Sequence, residues 1–335
     1  IGRGAINLVE ETLHINNILG KILYVADPFV DNLYGKIVKQ QISKVGRLKV
    51  QFADYNTISY AMEIAERCIA TDVDCLVGLG GGRVLDVCKY AAFISKTSYL
   101  AIPTTAANDG LTSPIAVLKR QDGLPKSLGA VMPTMTLIDT EVIAAGPIQN
   151  IQAGIGDTIS NFMALKDWDF AVSRGKDEMN AYAYLMSRSS LDALMKTSYE
   201  SICPEFIEVL VNALVLSGIA MDFAGSSRPV SGSEHCFSHA LDYYSKKKNL
   251  HGIQVALGTV AMLKMVDEPY DEVLDYLRKF EVEINPVVLG IDEDTFVGCM
   301  QKGSSMRKGR YTRLDESDLS EVKLKKLYKE LVEEL

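Results

Sequence analysis

The stretch SGSEHCFSHALD, Ser231 to Asp242, holds two of the four histidines in a chain of 335 residues. His235 and His239 are four apart, so a helix puts them on one face. Histidine is the commonest metal ligand. The zinc-protease pattern H-E-x-x-H does not occur, because Glu234 precedes the first histidine. A third histidine, His251, opens an apolar run a short loop further on. Asp157 lies in AGIGDTISN at the head of a predicted helix, where the ordinary role of an aspartate is capping. Two imidazoles and a carboxylate make a metal site that keeps one coordination position open for chemistry. Spacing alone leaves open which two of the three histidines bind. His14, remote from the cluster in sequence, reads as a surface residue.

A second group of residues suits a nucleotide. GLGGGRVLD, Gly78 to Asp86, sits where a strand hands over to a helix. Gly80, Gly81 and Gly82 let backbone approach a ligand closely, and the helix head offers amides and a positive dipole end to phosphate. The loop is neither G-x-G-x-x-G, whose last glycine falls on Arg83, nor a Walker A loop. PTTAANDGLTSP, Pro103 to Pro114, follows the next predicted strand, where ligands of such sheets bind. Thr104, Thr105 and Ser113 supply hydroxyl donors. Asp109 reads either as a substrate-facing carboxylate or as the Asx-type turn before Gly110.

These groups need elements to hold them. Apolar runs at 21–27, 48–54, 75–82, 98–105 and 134–140 read as strands, and 60–70 and 84–95 as helices. Strand and helix in alternation predict a parallel sheet with helices on both faces. Beyond Pro147 the runs DTISNFMALKDWDFAV, EFIEVLVNALVLSGIAMDFA and HGIQVALGTVAMLKMV all have helical periodicity. The expected organisation is an α/β nucleotide-binding domain over 1–150 and an all-α, metal- and substrate-binding domain over 151–335. Mean hydropathy is +0.07. A net charge of −8 argues against a broad nucleic-acid face. The six cysteines are scattered without a C-x-x-C pair, which suits reduced thiols. No leader and no apolar run of membrane length is read, so a soluble cytoplasmic protein is expected.

The chain resembles the sn-glycerol-1-phosphate dehydrogenase branch of the iron-containing alcohol dehydrogenase and dehydroquinate synthase-like superfamily. The resemblance is carried by GRGA near the start, the glycine loop, PTTAANDGLTSP and GDTISNFMALKDWDFA. It continues through GSSRPVSGSEHCFSHALD, LHGIQVALGT and RYT. It implies the same two-domain fold, with Asp157, His235 and His251 holding one divalent metal: zinc, with nickel or iron as alternatives. It implies that His239 contacts substrate rather than metal, and that Asp109 and Asp157 also touch substrate. It places NAD or NADP against Gly82, Arg83, Val84, Leu85 and Asp86, against Thr104, Thr105, Ala106 and Ala107, and against Ser113. Arg83, Cys88 and Ile253 depart from the usual pattern without removing a ligand. Asp27, ending the first strand, suits an adenosine ribose and repels a 2′-phosphate, which leans toward NAD.

The implied reaction interconverts dihydroxyacetone phosphate and sn-glycerol 1-phosphate. Glycerol dehydrogenase is the near alternative, and a sugar-phosphate cyclase of the dehydroquinate synthase kind the more remote one. Arg228 and Arg310 are candidates for the substrate phosphate, against surface salt bridges. The expected partners are a small phosphorylated triose or polyol and further copies of the chain in a homo-oligomer, dimer or larger. Neither nucleic acid nor membrane is expected.

Overall fold

The apolar runs of the first half become the strands of one parallel sheet. In the computed structural model, which describes all residues from Ile1 to Leu335, they are β1 (Lys21–Ala26), β2 (Arg47–Phe52), β3 (Cys75–Gly80) and β4 (Ser98–Pro103). An antiparallel hairpin follows, β5 (Ile115–Lys119) and β6 (Pro125–Gly129), and then the short β7 (Met135–Thr136). The sheet order is β2-β1-β3-β4-β7, all parallel. β3 is buried along its whole length, as a central parallel strand covered on both faces must be. The register sets Ala26 opposite Leu79 and Gly80 opposite Pro103. The residues after β1, β3 and β4 therefore emerge along one edge. Chain order reverses between β1 and β3, and such a switch point is where open α/β sheets bind ligands.

The strand read over 134–140 is mostly not strand. Only Met135 and Thr136 pair with β4. The Asp139 carboxylate accepts from the Glu141 amide at 2.9 Å and the Ile6 amide at 3.0 Å, and starts the helix Thr140–Ala144 instead. The hairpin, and the helices Val9–Ile15 and Lys36–Val45, lie outside the sequence reading. Val9, Leu13, Val38 and Ile42 of those helices share one core with Ile22, Tyr24, Leu100 and Ile102.

The chain divides into two compact units, Ile1–Ile148 and Gln149–Leu335. The second contains no strand. Its first helix, Ile148–Ser173, spans 26 residues, so Asp157 lies well inside it and is not a cap. Three glycines let its helices approach closely. A Cβ on Gly252 would run into the Ala153 carbonyl, and one on Gly156 into the Gly252 carbonyl. A Cβ on Gly258 would lie 2.9 Å from the Glu234 carbonyl oxygen. Each contact adjoins a candidate ligand in sequence. One sequence expectation needs correction: the helix Pro204–Ala224, with a mean hydropathy of 1.8 over its best window, is long and apolar enough to cross a membrane. That window is 56% buried within the structure, where Phe206, Leu210, Val211 and Leu214 join the packed interior.

Candidate functional site

In the helical unit, Asp157, His235 and His251 each present a ligand atom within 4.8 Å of the other two. They come from three helices: Ile148–Ser173, Ser233–Tyr244 and His251–Met265. His251 Nε2 is 3.7 Å from Asp157 Oδ1. The His235 and His251 rings are 4.9 Å apart between centroids, while His239 stands 6.2 Å and 6.3 Å from them. The geometry thus brings all three histidines together and joins only two to the carboxylate. His14 is exposed and elsewhere in the chain.

Hydrogen bonds fix which nitrogen of each ring is available. Gln254 Nε2 donates to Asp242 Oδ1 at 3.2 Å, which orients the amide. Its Oε1 accepts from the Ser238 hydroxyl at 2.7 Å. Ser238 Oγ, its proton committed, must then accept from His251 Nδ1 at 3.1 Å, which turns the Nε2 lone pair toward Asp157. His235 Nδ1 faces Glu234 Oε1 at 2.8 Å, an oxygen that already accepts from the Gly232 amide at 2.6 Å. Burial, with Asp167 nearby, pushes the Glu234 carboxyl up to about 8. A cation on Nε2 would put the proton of the pair on Nδ1. This is the orientation that metal-binding histidines adopt.

Burial holds all three imidazoles below their ordinary range. His235 lies well below it, with His251, His239, Arg307 and Arg310 adding to the effect of burial. His239 is pushed down to about 3, by burial first and then by His251, Arg307 and Arg310. His251 is lowered by burial, with Asp242 opposing. Neutral imidazoles beside a carboxylate have the donor chemistry a divalent cation requires. The residues fit the implied metal.

In the first unit the glycine loop and its neighbours line the carboxyl edge of the sheet. A Cβ on Gly80 would meet Val84 Cγ2 at 2.8 Å, one on Gly81 would meet Thr105 Oγ1 at 3.3 Å, and one on Gly82 would enter open space. Only the first is demanded by packing. The Val84 and Leu85 amides donate back to the Gly81 carbonyl at 3.0 and 3.2 Å, and their side chains are buried. The helix Gly82–Ser95 therefore presents the amides of Gly82 and Arg83 at its head. The Thr104 amide donates to the Gly80 carbonyl at 3.0 Å, which sets the next loop beside the first. Thr104, Ala106 and Ser113 are buried, Thr105 and Ala107 half-buried. Asp27 accepts from the Phe29 amide at 2.9 Å and lies 3.7 Å from the exposed Arg83 guanidinium. These residues fit a dinucleotide phosphate and ribose.

The sequence reading missed Lys89. It is fully buried, and its Nζ donates to the carbonyls of Gly110 and Ile115 at 2.8 Å each and to Asp86 Oδ1 at 3.4 Å. Asp86 Oδ2 accepts from the Val117 amide at 3.1 Å. One cation thus ties the glycine-loop helix to the loop carrying Asp109. The Asx turn belongs to Asn108, whose Oδ1 accepts from the Gly110 amide at 2.9 Å, and not to Asp109. Burial pushes the Asp109 carboxyl up to about 7, with Lys89 opposing and Asp86 adding. The signal for Lys89 was a lone cation on the apolar face of VLDVCKYAAF.

A family model describing iron-containing alcohol dehydrogenases matches residues 1–147. The whole fold is that of this class. Glycerol dehydrogenase from Schizosaccharomyces pombe superposes with a TM-score of 0.80 at 19% identity, over 99% of this chain and 88% of that one. A probable glycerol dehydrogenase from Sinorhizobium meliloti gives 0.79 at 19% identity, over 99% and 95%. Sequence narrows the class. The glycerol-1-phosphate dehydrogenase [NAD(P)+] of Hyperthermus butylicus is 33% identical over 96% of this chain and 92% of its own length. That of Sulfurisphaera tokodaii is 32% identical over 98% and 94%. The chain belongs to the glycerol-1-phosphate dehydrogenase family.

Proposed function

We propose that the protein interconverts dihydroxyacetone phosphate and sn-glycerol 1-phosphate with NAD(P)(H), using one divalent cation held by Asp157, His235 and His251. The observation that carries this reading is the convergence of those three side chains within 4.8 Å, beside a third histidine set further off. When bound, the cation supplies Lewis-acid polarisation of the substrate carbonyl and the nicotinamide supplies a hydride. Asp157, His235 and His251 bind and orient the cation, and Ser238, Gln254 and Asp242 keep His251 in the required tautomer. His239, neutral at working pH, takes a proton from water on one ring nitrogen as it releases one from the other to the product oxygen. Gly82 and Arg83 hold the dinucleotide phosphate. Asp27 favours NAD, and the neighbouring Arg83 meets a 2′-phosphate, so NADP is accepted too. Zinc is the expected metal, with nickel and iron as alternatives. The same reading makes the protein a cytoplasmic homo-oligomer acting on a small phosphorylated substrate, apart from nucleic acid and membrane.

The test follows NADH and NADPH absorbance with dihydroxyacetone phosphate, dihydroxyacetone and a seven-carbon sugar phosphate. The reading expects efficiency with the first to exceed the second by orders of magnitude. Comparable efficiencies would make the protein a glycerol dehydrogenase. A cyclised product without net cofactor turnover would make it a cyclase.

A further inference from the structure

Arg228 and Arg310 stand apart in the structure. Arg228 is buried, its Nε lies 2.6 Å from the Asp177 carboxylate, and its Nη2 donates to the Tyr311 carbonyl at 2.8 Å. Its charge is matched by Asp177. Arg310 has a different companion, Arg307, which caps the C-terminal end of the helix Glu293–Met306. That helix docks on the His235 helix through Gly303, where a Cβ would lie 3.7 Å from Cys236 Cβ.

Arg307 Nη1 donates to Ser231 Oγ at 2.9 Å. Arg310 Nη1 donates to the Ser231 carbonyl and its Nη2 to Ser227 Oγ at 3.0 Å. Every one of these acceptors is neutral. Neither guanidinium has a carboxylate within 4.0 Å, whereas Arg174, Arg188 and Arg313 each have one. The buried carboxyls of the region are engaged by other groups. Asp167 accepts from the amides of Ser233 at 2.6 Å and Arg313 at 2.8 Å, and Glu234 from Gly232 and His235.

Resting on the reading above, we propose that Arg307 and Arg310 form the subsite for the phosphate monoester dianion of the substrate, next to the Asp157–His235–His251 trio. Serines hold one edge of each guanidinium and leave charge to be matched by a ligand. Burial and mutual repulsion crowd the pair: Arg310 is pushed down to about 9, by burial first and then by Arg307 and Arg228. Both cations also depress His239, the histidine set toward substrate. A dianion relieves that repulsion, and guanidinium forks match its oxygens.

The experiment compares the wild type with Arg307→Gln, Arg310→Gln and Arg307→Lys. Two readouts are taken: kcat/KM for dihydroxyacetone phosphate divided by that for dihydroxyacetone, and inhibition of dihydroxyacetone turnover by inorganic phosphate. Each Gln variant should lower the ratio by roughly ten- to a hundredfold, mainly through KM, and weaken phosphate inhibition in step. Arg307→Lys should recover part of the ratio, since the point charge returns without the fork. A structural role for the pair would slow both substrates equally and leave the ratio unchanged, which would overturn the proposal. Should neither Gln variant fold, absence of competitive phosphate inhibition in the wild type would overturn it. A wild type that does not discriminate the two substrates would refute the proposed function instead.

Discussion

Gly156 packs against the backbone of Gly252, and this contact sets the spacing of the proposed metal ligands. The next residue of one helix is Asp157 and the preceding residue of the other is His251, so the glycine crossing places Oδ1 3.7 Å from Nε2. Gly252→Ala would drive a methyl group into the Ala153 carbonyl, which is backbone and cannot rotate away. The helices must part. Overpacking of this kind typically costs about 1–3 kcal/mol. The variant is expected to lose metal and to melt several degrees lower, read by mass spectrometry and thermal denaturation. Full metal content at unchanged Tm would show that the crossing does not set the site.

The two histidines of the Ser233–Tyr244 helix should separate under mutation. His235→Ala removes one of the three proposed protein ligands and should yield a metal-poor protein. His239→Ala should keep its metal and lose rate by ~10²–10⁴-fold, because proton transfer is its proposed role. Metal content and steady-state kinetics on both purified variants decide this. A metal-free His239→Ala together with a metal-replete His251→Ala would replace the proposed set with a helical i, i+4 pair.

The three consecutive glycines should not behave alike. A Cβ at Gly80 collides with Val84, so Gly80→Ala should destabilise the first unit whatever the ligand. A Cβ at Gly82 meets no protein atom, so Gly82→Ala should fold normally. It should still raise the Kd for NAD(P)H at least tenfold if a phosphate packs against that position. Intrinsic fluorescence titration with the cofactor measures the second effect. Unaltered affinity in Gly82→Ala would reduce the loop to a tight turn.

Much of this arrangement was legible because short-range rules governed it. The fully buried β3 reads as an unbroken apolar run ending in glycine, and the runs carrying Asp157 and His251 read as helices. What was illegible depends on distant partners. Asp157 looked like a cap because nothing local shows that its helix begins at Ile148. The β5–β6 hairpin, around the turn RQDGL, lies outside every run read as a strand. Ser238 and Gln254 are ordinary helix residues until the fold sets them 2.7 Å apart. Gly156 and Gly252 carry no motif, and only the crossing of two helices requires them. Arg307 gave no signal because its significance lies in the missing carboxylate.

The Lys89–Asp86–Asp109 cluster predicts a pH dependence of stability. An unfolded aspartate titrates near ~3.9, while burial raises Asp109 to about 7 in the folded chain. Between those values the folded state binds more protons than the unfolded state. The contribution of Asp109 to stability therefore falls as pH rises from about 4 to about 7, and levels off above. Asp109→Asn is neutral throughout and escapes this loss. Its Tm, measured against wild type from acid to mildly alkaline pH, should gain on wild type across that window and hold a constant lead beyond it. Lys89→Met removes the cation that opposes the shift, so the wild-type inflection should move to higher pH in that variant. A Tm difference independent of pH would place Asp109 in the ordinary carboxylate range and show that the buried lysine only ties the loop to the helix.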